Sequence, residues 1–289
     1  MEAALDAFLD ALAHEQGYSH NTIVAYGNDL NQFVSFLRQK GIAQWRAIGP
    51  AHIRAYTRAL VARQYAASTV ARKVAALKSF FHYLHGRELV PTDAAVGIGS
   101  PPVKKRLPRS LTADQVDRLL SAPSADATPK TLRDRALLAL LLATGMRVSE
   151  VITLAMNQVD LVSGTVMCPS QEGGLRALTL DQHARNTLAD YLEAGRPRLL
   201  RDPDELVVFL NHRGHPLTRQ GLWLIIKSHA RAAGLSFPVT PHTLRHSFAA
   251  HQVAQGTDLR QVQSMLGHAN ISTTNIYAKV AAQIGQNPE

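Results

Sequence analysis

The chain has 289 residues, 46% hydrophobic and 18% charged, an ordinary globular composition with room for two domains that argues against global disorder. Its 31 lysines and arginines against 22 acids leave a formal charge of +9, which points to a polyanionic partner, nucleic acid ahead of a membrane surface. The single cysteine, Cys168, excludes an intramolecular disulfide framework and paired-cysteine zinc sites, and it fits a reducing cytoplasm.

The opening segment, MEAALDAFLDALAHEQG, is acidic and amphipathic, unlike an export signal. Three further helical patterns follow. SHNTIVAYGNDLNQFVSFLRQKG has Ser19 as its cap and stops at Gly41; PAHIRAYTRALVARQ has Pro50 in its first turn; a third pattern runs from Ser68 to Gly86. Four helices therefore fill a first domain over residues 1–97. Residues 98–110 lie in a stretch, GIGSPPVKKRLPRS, with three prolines, four basic side chains and no acid, the composition of an extended linker. Lys104, Lys105, Arg106 and Arg109 in it are candidate contacts to a phosphate backbone. Residues 1–99 carry a basic surplus of three and the remainder a surplus of six, so both parts could touch the same polyanion.

A second domain, 111–289, opens on Thr112 and Gln115, which have capping-box spacing. The apolar run ALLALLLATGM is about half the roughly 20 residues of a membrane span and reads as a buried helix. TVMCPSQEGGLRALTL reads as two short strands around a turn, ELVVF as another short strand, and helical patterns resume at Thr218. The expected fold class is mainly α with a small β-sheet.

Polar residues gather at three helix edges. In ATGMRVSEV, Arg147 follows a helix-breaking Gly145 and precedes Glu150 by three residues, a spacing that also suits a plain ion pair. In TPHTLRHSFAAH, Thr240 can cap and Pro241 suits the first turn, which gathers His242, Arg245 and His246. His242 and His246 have metal-ligand spacing, but Thr243 stands where a zincin has glutamate and Arg245 repels a cation, so an anion is the better guest. In MLGHANISTTNIYAKV, His268 follows a glycine and Tyr277 lies nine residues on, at a place that would otherwise suit packing. Arginine forks bind phosphate oxygens without losing a proton, histidines titrate near neutrality, and a phenol can attack phosphorus once activated.

Arg147 in TGMRVSE, His242 and Arg245 in HTLRH, His268 in LGH and Tyr277 in STTNIY, in that order, resemble the tyrosine recombinases, most closely the bacterial Xer type. The resemblance covers nearly the whole chain. It implies a helical core-binding domain and a mixed α/β catalytic domain closing as a C-shaped clamp on double-stranded DNA, with no metal or nucleotide cofactor. It also implies a site-specific recombinase. Tyr277 would attack the scissile phosphate to give a 3′-phosphotyrosyl link, Arg147 and Arg245 would hold the non-bridging oxygens, and His268 would donate a further hydrogen bond. His242 would accept the phenol proton or orient the phenol, Glu150 would position Arg147, and His246 would support its helix. Four protomers, alike or of two kinds, would act on two sites through a Holliday junction in a cytoplasmic, nucleoid-associated role such as chromosome partition.

The family's hairpin usually reads G-K-G-x-K-x-R, and its first lysine protonates the departing 5′-oxygen. Here Gln171 falls on that lysine and Arg176, a candidate DNA contact, on the final arginine; no lysine occurs from Thr131 to Ile226. A neutral amide cannot deliver a proton, and general-acid help is worth about 10²–10⁴-fold. Either another group takes the role or cleavage is slow and depends on an activating partner recombinase. A DNA-binding or architectural homologue with little cleavage is the alternative.

Overall fold

The computed structural model describes residues 1–15, 18–102, 108–124, 126–170, 174–267 and 274–284. They divide into two compact units, Met1–Lys105 and Arg106–Glu289.

The first unit is built from α1 (Glu2–His14), α2 (His20–Arg38), α3 (Pro50–Ala62) and α4 (Ala67–Gly86). The Ser19 hydroxyl accepts the Thr22 N–H at the start of α2, and Pro50 sits in the first turn of α3, where its missing N–H costs nothing. The apolar stripes meet in one aromatic core, where Phe80 packs edge-on against both Phe8 and Trp45, and Tyr56 against Phe33. Inside it Asp29 is buried and takes charge-assisted bonds from Lys73 Nζ, at 2.7 Å, and from Arg72.

In the second unit, Thr112 and Gln115 form the expected capping box at α5 (Ala113–Ser121). The apolar run becomes α6 (Pro129–Thr144), whose Ala136–Leu141 stretch is wholly buried, and α7 (Val148–Ile152) follows one turn later. Three antiparallel strands come next: β1 (Val159–Asp160), β2 (Thr165–Pro169) and β3 (Leu175–Thr179), with Cys168 opposite Arg176. The chain then runs through α8 (Gln182–Asp190), a π turn at Tyr191–Gly195, and α9 (Arg196–Leu199). The ELVVF segment forms no strand. Val208 and Phe209 are buried while Leu206 is exposed, and Val207, like Leu210 just beyond the segment, makes only an isolated bridge, to Ala155 and to Pro216 respectively. The unit closes with α10 (Arg219–Ala232), α11 (Pro241–Ala254), α12 (Leu259–Leu266) and α13 (Ile276–Ile284). Among the described residues, no helix is long and apolar enough to cross a membrane.

Gly145 ends α6 at φ +60°, in the left-handed region that L side chains disfavour. A Cβ there would run into the Phe248 ring of α11 and sit 3.1 Å from Leu266 Cδ2 of α12, so the glycine lets three helices converge. Gly145→Ala is expected to cost about 2–4 kcal/mol, combining left-handed strain with overpacking, and to lower the denaturation midpoint of the full chain.

Candidate active site

The convergence of α6, α7, α11 and α12 places three arginines around one carboxylate. Arg147 stands at the N-cap of α7, and its backbone N–H donates to Glu150 Oε2 at 2.7 Å while Nη1 donates to Glu150 Oε1 at 2.9 Å. From β3, Arg176 Nη2 reaches both Glu150 oxygens, at 2.9 and 3.0 Å. Side-chain exposure is 8% for Glu150 and 9% for Arg176, but 31% for Arg147, which leaves Arg147 the open member of the pair. On α11, Thr240 caps the helix and Pro241 occupies its first turn, and the third group, Arg245, then points inward with 7% of its surface exposed.

All three guanidiniums also hold the C-terminal end of α12. Arg176 Nε donates to Met265 O at 3.0 Å, Arg245 Nη2 to Leu266 O, and Arg147 Nη2 to Gly267 O. Those carbonyls lack helical partners and carry the negative end of the helix dipole, so cations are favoured there. Arg245 Nη1 donates as well to Gly145 O, at 2.6 Å, and Arg176 Nη1 to Pro169 O at the end of β2. Gly267 is at φ +60°, and a Cβ on it would lie 3.3 Å from both Arg147 Nη1 and Arg176 Cζ, so only a glycine lets the two forks close over this turn. Burial, and then the neighbouring charge of Arg147, push Arg245 down to about 10. Three guanidiniums against one carboxylate leave the cluster two charges positive, suited to an anion.

Tyr277 lies on α13, 2% exposed, packed with Phe248, Val262 and Leu266. Its hydroxyl is 2.8 Å from His246 Nδ1 on α11, with ring centroids 5.6 Å apart. Burial raises the phenol pKa while Arg245 works against the rise. Burial, then His242 and Arg245, bring His246 down to about 4, so its imidazole is neutral at neutral pH.

Arg147, Arg245 and Tyr277 thus come together as the motifs suggested, but the histidine beside the phenol differs from expectation. His242 was expected there; it is exposed in the first turn of α11, with its ring 6.5 Å from that of His246, and His246, expected only to support the helix, makes the contact. One helical turn separates the two, and nothing in their spacing says which of them α13 meets. Arg176, expected on DNA, is instead turned inward onto Glu150 and two carbonyls. Arg109 is exposed, its guanidinium 5.5 Å from the Phe237 ring centroid. His268, Gln171, Lys104, Lys105 and Arg106 lie outside the described residues.

Family models for the phage integrase family and for a phage integrase N-terminal SAM-like domain match residues 109–283 and 5–88. Curated relatives include a tyrosine recombinase XerC from a Roseiflexus species (strain RS-1), 47% identical over 97% of this chain and 90% of its own. A tyrosine recombinase XerD from Halalkalibacterium halodurans is 42% identical over 96% and 92%. Among solved structures, the XerH site-specific recombinase bound to its difH substrate before cleavage matches with a TM-score of 0.72 at 23% identity, over 92% of this chain and 79% of that one. The chain belongs to the phage integrase family. Within it, the protein is a tyrosine-type, Xer-like site-specific DNA recombinase, and the architectural alternative is not favoured.

The buried neutral imidazole has a consequence for stability. An unfolded chain protonates His246 near 6.5, whereas the folded protein resists until about 4. Stability therefore falls as pH drops from about 6.5 toward 4, because the unfolded state takes up the proton first. Replacing His246 with Asn is expected to flatten this part of the profile, measured as melting temperature of the full chain between pH 7 and pH 4.

Proposed function

We propose that the protein cuts and rejoins duplex DNA through a covalent link between Tyr277 and a 3′-phosphate, freeing a 5′-hydroxyl that a partner strand replaces on the way through a Holliday junction. The observation that carries this is the convergence of Arg147, Arg245 and a buried Tyr277 at one helix end, with a net positive charge around them. Arg147 and Arg245 would exchange part of their carbonyl hydrogen bonds for the non-bridging phosphate oxygens and stabilise charge that grows in the pentacoordinate transition state. Glu150 positions Arg147, and Arg176 fastens the hairpin to Glu150. His242, exposed at the helix start, suits a hydrogen bond to the phosphate backbone, as does His268 in the LGH motif. The phenol leaves its burial to reach phosphorus.

Duplex DNA is the partner this chemistry requires, and the solved relatives include a recombinase in complex with its DNA substrate. Lys104, Lys105, Arg106 and Arg109 would follow the phosphate backbone from the linker. Four protomers on two sites, of one kind or paired with a second recombinase, complete a reaction in which strands are exchanged pairwise. A role at the nucleoid in chromosome partition fits this chemistry.

A target duplex can be selected from a random-sequence pool and nicked to trap the intermediate. The native protein is expected to form a covalent adduct on it, and Tyr277→Phe to form none while binding with unchanged affinity. Loss of binding in that variant would make Tyr277 structural and sink the proposal. Gln171 in place of the hairpin lysine leads to a second expectation. A 5′-bridging phosphorothiolate, whose sulfur leaves without a proton, should be cleaved faster than ordinary DNA by up to about 10²–10⁴-fold. Equal rates would mean that a general acid is supplied from elsewhere.

A further inference from the structure

The helix that carries Arg245 is held on two faces. On one, Arg245 donates to the carbonyls of Gly145 and Leu266; on the other, a row at i, i+4 spacing, Thr243, Ser247 and His251, meets the end of the linker. Residues two apart in a helix are separated by about 200° around its axis, so the two sets of bonds share no side chain. Leu111 is wholly buried, and side chains of that row take both of its backbone groups. Its N–H donates to Ser247 Oγ at 2.7 Å, and the Ser247 hydroxyl donates in turn to Thr243 O at 2.8 Å. His251 Nε2 lies 2.9 Å from Leu111 O, and because a carbonyl only accepts, that nitrogen carries the hydrogen. Two residues earlier, the Arg109 guanidinium lies over the ring of Phe237, in the turn that leads into α11. A slip of the linker end by one residue would leave a buried N–H and a buried C=O without partners, so it has one register on the helix.

We propose that Ser247 and His251 are positioning residues for strand cleavage: through Leu111 they keep α11, and with it the Arg245 guanidinium, in place while that guanidinium works. This rests on Arg245 binding the scissile phosphate. In taking the phosphate, Arg245 would give up part of its bonding to Gly145 O and Leu266 O, so the restraint on its own face of the helix weakens when its placement matters most. The bonds to Leu111 use no atom that touches the phosphate and persist through the step. A displacement of about 1 Å in a catalytic group can cost about 10²-fold in rate, so hydrogen bonds outside the site bear on the chemical step.

The test is single-turnover adduct formation by the full chain on saturating nicked selected duplex, with either an ordinary phosphate or an uncharged methylphosphonate at the scissile position. Ser247→Ala, and His251→Phe, which keeps a ring but loses the N–H donor, are expected to slow the adduct on the phosphate about 10–100-fold with duplex affinity unchanged. His251→Gln, whose amide N–H can reach Leu111 O, should stay within about threefold of native. On the methylphosphonate, which has no negative charge for a guanidinium to neutralise, the deficit should shrink toward none. A native rate in His251→Phe overturns the proposal, and so does a His251→Gln variant as slow as His251→Phe. An equal deficit on both substrates also overturns it, since a residue needed only for folding removes active protein regardless of the phosphate's charge. Should Ser247→Ala fail to fold, the two His251 variants still decide. Arg245→Ala separates the two failures. An adduct formed by it at the native rate, or none formed by the native chain, removes the reading on which this rests, whereas a slow Arg245→Ala beside a native-rate His251→Phe removes only the positioning role.

Discussion

A carboxylate shared by two arginines holds this site together. Glu150 is nearly out of water, and its two oxygens take Nη1 of Arg147, Nη2 of Arg176 and the Arg147 backbone N–H. Removing one partner of a buried charge pair is strongly destabilising because the other remains buried. Here the loss of Glu150 would leave two guanidiniums facing each other with a third, Arg245, already depressed by its neighbours' charge. The carbonyls of Met265, Leu266 and Gly267 complete the counter-charge without using another acid. Carbonyls neutralise only partly, and the positive charge that is left suits an anion.

The same arrangement explains why distant parts of the catalytic unit meet here. Arg147 opens α7 because Gly145 lets α6 stop abruptly beneath Phe248 and Leu266. The Gly145 carbonyl released by that stop is taken by Arg245 from α11, and α11 in turn presents His246 to Tyr277 on α13. Arg176 carries the connection to the sheet, since it binds Pro169 O at the end of β2 as well as Glu150. A preorganised donor set of this kind costs no reorganisation when charge develops, which is the usual source of the largest catalytic contribution.

Much of this was legible beforehand, for reasons that differ by residue. Helix limits followed from local chemistry: Ser19, Thr112 and Thr240 accept the N–H bonds their positions call for, and Pro50 and Pro241 occupy first turns. The buried α6 followed from a run with no polar face. ELVVF misled because a short apolar run signals burial, and only tertiary pairing decides whether it becomes a strand. The place of His246 beside Tyr277 was hidden for a similar reason: it depends on how α11 and α13 cross, a non-local packing outcome with no local signal in the sequence. Arg176 looked like a backbone contact because a surface hairpin suggests solvent, yet its register opposite Cys168 turns it under the strand toward Glu150.

The proton inventory of the site is uneven, and that unevenness bears on the reaction. Arginines bind phosphate without titrating, which removes them as acids or bases at any working pH. On the nucleophile's side a neutral imidazole stands within hydrogen-bond distance of the phenol. On the leaving group's side the family's lysine is replaced by Gln171, and no lysine occurs between Thr131 and Ile226 to stand in from the neighbouring sequence. Microscopic reversibility ties the two directions together: whatever protonates the 5′-oxygen on cleavage must deprotonate the 5′-hydroxyl on rejoining. Under the proposed mechanism, the missing lysine would therefore weigh on the bond to the 5′-oxygen in both directions, and a proton donor supplied there would accelerate cleavage and rejoining alike.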